Sequence, residues 1–165
     1  MTQFKELLKT LKSESVEFVV IGGVAANIHG VNYPTYDLDI CYGRSQKNVE
    51  RLVKALAPLH PTLRGAPKDL PFQFDVPTLK SGLNFTFDTD LGEIDILGEV
   101  GGVGFYEGVL AHAIDAELLG LRVLVLDIDA LTKSKKHAGR KKDEPVILEL
   151  EAIQELLKRK QARKA

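Results

Sequence analysis

A single cysteine, Cys41, stands in the whole chain, which leaves no partner for an internal disulfide. Long apolar runs are also missing: stretches such as Phe18 to Gly23 and Val123 to Leu126 fall far short of the roughly 20 residues a membrane helix needs. No segment joins a basic start, a short apolar run and a small-residue cleavage site. Internal repeats are absent, and low complexity is confined to a basic tail. These absences lead us to expect a soluble, cytoplasmic protein with no membrane partner. The chain's 165 residues suffice for one hydrophobic core but not two. Hydrophobic residues at 44% and charged residues at 27% exclude the composition of a disordered chain.

The small net charge of -1 conceals an asymmetry. Residues 1–132 carry 11 basic and 18 acidic residues, a net -7, whereas residues 133–165 carry 11 basic and 5 acidic residues, a net +6. An acidic body therefore continues into a basic C-terminal segment.

Phe4, Leu7, Leu8 and Leu11 recur at helical spacing and predict an amphipathic helix over 3–13. Val16 to Ile21 reads as a buried strand, Gly22-Gly23 as a turn, and VAANIHG as a short helix closed by Gly30. YPTYDLDICY then reads as a strand. Ser45 is a helix cap before Val49, Leu52, Val53 and Leu56. Five of the seven prolines fall between Pro58 and Pro77, predicting a long irregular excursion. Two hairpins follow, LNFTFDTD with GEIDIL and AIDAELL with LRVLVL, joined by a glycine-rich connection read as flexible. The end of the chain reads as a helix over about 127–138 and a second one starting near Asp143, where Asp143 and Pro145 are start signals.

Asp37 and Asp39 share one face of a predicted strand, while Leu38 and Ile40 point into the core. Clustered carboxylates repel one another, and a hard divalent cation with oxygen preference relieves that repulsion. GEIDIL repeats the pattern with Glu93 and Asp95. If the two strands are neighbours, Asp95 completes a three-carboxylate site for one or two metal ions, which would activate a hydroxyl nucleophile and neutralise phosphates in transfer; Glu93, Asp88 and Asp90 compete for that place. The Gly22-Gly23 turn would let backbone N–H groups meet a phosphate, but it has neither the dinucleotide-binding nor the P-loop spacing. His29, His137 and Cys41 read as structural, because none stands at metal-ligand spacing with another His or Cys.

GGVAANIHG followed by PTYDLDI resembles the glycine and Asp-x-Asp motifs of the nucleotidyltransferase superfamily, and TDLGEIDIL and KSKKHAGRKKD extend the likeness. From about residue 16 to 143 the chain resembles the bacterial toxin-like branch of the AbiEii type. The resemblance implies an α/β (α+β) single domain over 1–165, with a mixed sheet flanked by helices and a basic helix and tail from about 143. It implies Mg²⁺ or Mn²⁺ held by Asp37, Asp39 and Asp95, with a nucleoside triphosphate as substrate. Gly22, Gly23, Thr35, Lys135 and Arg140 are the implied nucleotide-binding residues, and Asp143 matches the acidic residue that follows them. The acceptor would be RNA, such as tRNA, or protein, and an antitoxin would be a partner if the chain is a toxin. Tyr33 stands where many members have Arg, and the glycine motif lacks the serine common in the wider superfamily. A second reading is therefore a non-catalytic module of the same fold that binds nucleotide, RNA or a partner protein.

Overall fold

The computed structural model describes residues 1–164. The first half of the chain forms α1 (Phe4–Ser13), β1 (Phe18–Ile21), α2 (Gly22–Ile28), β2 (Asp37–Tyr42), α3 (Gln46–Leu56), β3 (Thr62–Leu63) and α4 (Val76–Ser81). The second half forms β4 (Asn84–Thr89), β5 (Gly92–Leu97), β6 (Glu99–Val100), β7 (Gly104–Phe105), α5 (Tyr106–Leu110), β8 (Ala113–Leu118), β9 (Leu121–Leu126), α6 (Ile128–Ala138) and α7 (Glu144–Lys164).

Seven strands make one sheet in the order β3-β4-β5-β2-β1-β9-β8. It is mixed: β2 runs parallel to β5 and β1 to β9, and the other neighbouring pairs are antiparallel. Leu38, Ile40, Ile94 and Ile96 are fully buried, so period-two alternation places Asp37, Asp39, Glu93 and Asp95 together on the opposite face. The amphipathic stripe Leu7, Leu8 and Leu11 is buried on α1, which packs against α3 and β9. On α3, Val49, Leu52 and Leu56 are buried, and Ser45 Oγ accepts a hydrogen bond from Asn48 N at 3.1 Å as the expected cap. α2 packs on β1, β2 and α6, and α6 on α7. No helix among the described residues is long and apolar enough to cross a membrane.

Several expectations are corrected. Gly22 and Gly23 are not a turn ahead of a helix but its first residues, because α2 starts directly at the end of β1. The proline-rich stretch is less irregular than expected. It contains a 3-10 turn at Ala57–Leu59 and β3, which pairs with β4, and α4 opens within it on an Asp75 cap. Proline density reports where N–H donors are missing, but two residues of β3 pair because β4 lies beside them, a contact that local sequence does not encode. The glycine-rich connection is also ordered: β6 and β7 form a small hairpin, and α5 follows at once. As expected, the basic end of the chain is helical, through Lys164. Asp143 is no helix cap, since it lies in a 3-10 turn with its carboxylate engaged by basic side chains.

Candidate active site

The register of β2 on β5 sets Asp39 opposite Asp95 and Asp37 opposite Glu93. Asp37, Asp39 and Asp95 each present a carboxylate oxygen within 4.8 Å of the other two. Glu93 is outside this group, with its side chain 43% exposed against 17% for Asp95. β1 lies on the other side of β2 with Ile21 opposite Asp39, which brings the start of α2 onto the Asp39 carboxylate. Gly22 has a φ of 67°, and a Cβ there would overlap that carboxylate; both facts demand glycine. A Cβ at Gly23 would lie 2.7 Å from Thr35 Oγ1, and Thr35 Oγ1 donates to the Asp37 carbonyl at 3.3 Å. The dipeptide thus permits close packing of α2 against the residues that carry the carboxylates.

The donor set fits a hard divalent cation. Asp39 Oδ1 is buried and accepts no hydrogen bond, and a buried carboxylate oxygen without a donor is costly unless a cation meets it. Burial, followed by the Asp37 and Asp95 charges, pushes the Asp39 carboxyl up from 3.8 to about 8. Burial also raises Asp95, against the pull of Arg64. A carboxyl raised on folding binds its proton more tightly in the folded than in the unfolded chain. Stability without metal should therefore fall as pH climbs from about 4 and level off above about 8. Thermal melts in chelator across this range would check it: the wild type should decline, Asp39→Asn should be flatter, and parallel curves would refute the assignment.

Arg64 was not anticipated. It follows β3 directly, and its N–H donates to the Thr86 carbonyl at 2.9 Å. Its guanidinium reaches into the carboxylate face: Nη2 is 2.9 Å from Asp95 Oδ1, Nη1 3.8 Å from Asp37 Oδ2, and Nε 3.3 Å from Asp88 Oδ1. Nη2 also donates to the Phe87 carbonyl at 2.8 Å, beside its ion pair with Asp95. A lone arginine among prolines gave no local signal.

On the other side stand the expected basic residues. α6 ends at Gly139, whose φ of 64° is the left-handed conformation that glycine adopts freely. Past this break Arg140 and Lys135 meet on one carboxylate: Lys135 Nζ lies 3.3 Å from Asp143 Oδ1, and Arg140 Nε 2.8 Å from Asp143 Oδ2. Lys135 and Asp143 are buried, while the Arg140 side chain is 55% exposed. A cleft of about 290 Å³ is lined by Gly23, Tyr33, Thr35, Asp37, Asp39, Asp95, Lys135 and Arg140. An adjoining hollow of about 180 Å³ shares Asp39, Asp95, Lys135 and Arg140 and adds Gly22. All eight residues singled out from the sequence are therefore brought to one trough. His29 is held by the Leu126 carbonyl at 2.8 Å. Cys41 is buried, and that burial pushes its thiol up to about 12, unsuited to nucleophilic work.

No protein-family model and no curated protein matches the chain. Solved structures do. Lincosamide antibiotic adenylyltransferase LnuA, bound to lincomycin, is 15% identical with a TM-score of 0.60, covering 92% of this chain and 98% of its own. ANT(2″)-Ia in complex with adenylyl-2″-tobramycin is 12% identical with a TM-score of 0.59, covering 98% and 97%. A Thermotoga maritima protein described as a nucleotidyltransferase is 15% identical with a TM-score of 0.56, covering 96% of both chains. The mixed sheet with flanking helices is the fold of these nucleotidyltransferases.

Proposed function

We propose that this chain is a metal-dependent nucleotidyltransferase that moves a nucleotidyl group from a nucleoside triphosphate to an acceptor hydroxyl. The observation that carries the reading is the trio of carboxylates within 4.8 Å, with the buried Asp39 Oδ1 accepting no hydrogen bond. Asp37, Asp39 and Asp95 would hold Mg²⁺ or Mn²⁺, which when bound supplies charge neutralisation at the phosphates and activation of the attacking hydroxyl. Lys135 and Arg140, held at the wall by Asp143, orient the triphosphate: Arg140 as a two-pronged donor, Lys135 as a point charge. The backbone at Gly22 and Gly23 and the Thr35 hydroxyl stand beside the same space. Tyr33 and Tyr36, exposed at the cleft mouth, offer ring faces to the base. The acceptor oxygen bonds to the α-phosphorus as the bond to the bridging oxygen breaks. Pyrophosphate then leaves, and the hydroxyl proton passes to an Asp95 carboxylate oxygen.

The sequence motifs favour an RNA or protein acceptor and a toxin of AbiEii type with an antitoxin partner. The adenylyltransferases of similar fold, one bound to lincomycin and one to adenylyl-tobramycin, add small hydroxylated molecules to the acceptors worth testing. Incubation with labelled triphosphates, Mg²⁺ and either total RNA or such small molecules tests the reading. Melting with and without Mg²⁺ and triphosphate separates it from a non-binding relative, since a ligand at 100 times its Kd adds about 2.7 kcal/mol.

Arg140→Gln should weaken triphosphate binding by about tenfold or more at moderate salt, the range of a charge-assisted hydrogen bond to an ionised group. Its exposed side chain makes it the cleaner probe. Lys135→Met should do the same, with added loss of stability from the stranded Asp143. Truncation after Leu157 should leave triphosphate affinity unchanged and reduce only salt-sensitive RNA binding. Titrations of the three variants check this; small, equal losses from all of them would mean a generic basic surface.

A further inference from the structure

Arg64 lies in a row with the carboxylates. Its backbone N–H bonds to Thr86, Thr86 is opposite Asp95, and Asp95 is opposite Asp39. Two strand spacings, about 9.6 Å, separate Arg64 from Asp95, and an extended arginine spans that distance across the small Thr86. The guanidinium is not a loose surface group: the Phe87 carbonyl and Asp88 fix it, and its side chain is only 25% exposed. It meets Asp95 and Asp37 from the β4 side, while Lys135 and Arg140 stand in the trough on the other.

We propose that Arg64 is a positioning residue that takes the place of one cation at Asp95, so that the carboxylate trio accepts a single divalent ion instead of two. The inference rests on the metal-dependent reading above. Its physical basis is proximity. A second ion on Asp95 Oδ1 would share an oxygen already 2.9 Å from a fixed positive charge, and like charges at that range repel strongly away from bulk water. The unpartnered Asp39 Oδ1 has no such neighbour. Arg64 also remains charged at any working pH, and so it supplies a cation that chelators cannot remove.

The test counts Mn²⁺ bound per chain by electron paramagnetic resonance, at saturating Mn²⁺ with a non-hydrolysable triphosphate, after subtracting the ion carried by nucleotide alone in solution. The wild type and Arg64→Lys should each hold one ion, and Arg64→Gln should take up a second. Without nucleotide, Arg64→Gln should bind its first Mn²⁺ about tenfold more tightly than the wild type. Two ions on the wild type, or one on Arg64→Gln, would overturn the proposal and leave Arg64 a structural ion pair. No ion on any form would refute the metal-site reading itself. If Arg64→Gln does not fold, the wild-type count still decides, because a wild type with two ions excludes the substitution of charge for metal.

Discussion

Asp95→Ala should lower nucleotidyl transfer by about a hundred- to a thousandfold, the order lost when one preorganised electrostatic group leaves an active site, while Glu93→Ala should lower it only a few-fold. Both residues sit on the same face of β5, so face alone cannot rank them. The carboxylate positions can: Asp95, opposite Asp39, brings its carboxylate into the trio, whereas Glu93, opposite Asp37, stays outside it, more exposed and 3.9 Å from Arg64 Nε. Asp39→Asn should match Asp95→Ala in lost transfer and remove the Mg²⁺-dependent gain in melting temperature. Without ligand above pH 8 it should be more stable than the wild type, because it removes a buried charge facing two others. Labelled-triphosphate assays on the three variants, paired with melts, decide the ranking. Greater loss from Glu93→Ala would place the third ligand one level down.

Asp143→Ala should produce the largest loss of stability of any single change in the trough. Lys135 and Asp143 are both buried, and Asp143 divides its two oxygens between Lys135 and Arg140. Removing the carboxylate strands a buried ammonium, a break that costs about 3–5 kcal/mol where such pairs have been cut. In a domain of this length that corresponds to a fall in melting temperature of roughly 10 °C. The double variant Lys135→Met with Asp143→Leu should recover most of the loss, since apolar side chains of similar volume satisfy the same space without a charge. Triphosphate binding should not recover with it. Thermal melts of the single and double variants read the first effect and nucleotide titration the second. A small loss from Asp143→Ala would mean that water reaches Lys135 freely. It would also mean that the bracket does not hold the cations in place.

The residues of the trough were legible from the sequence because their information is local. Period-two alternation in DLDICY and GEIDIL assigns four acids to one face whatever the strands pack against. Gly22-Gly23 marks a place where side chains would be in the way, and Gly139 marks where a helix turns back. The resemblance of these motifs to nucleotidyltransferases anticipated the mixed sheet that the solved structures share. What the sequence by itself determined is therefore which residues face which way along each element.

Tertiary structure alone decided which elements lie side by side. The register of β2 on β5 sets Asp95 opposite Asp39 and brings its carboxylate within 4.8 Å of Asp37 and Asp39. Pairing of β3 with β4 turns an arginine in a proline-rich stretch into the cation of the carboxylate face. The fold of the 3-10 turn after Gly139 makes Asp143 a bracket instead of a cap. Each of these depends on strand order and on contacts between residues distant in sequence. Burial of the site and the approach of Asp95 and Arg64 to the Asp37–Asp39 pair arise only once those contacts form, so no reading of neighbouring residues contains them.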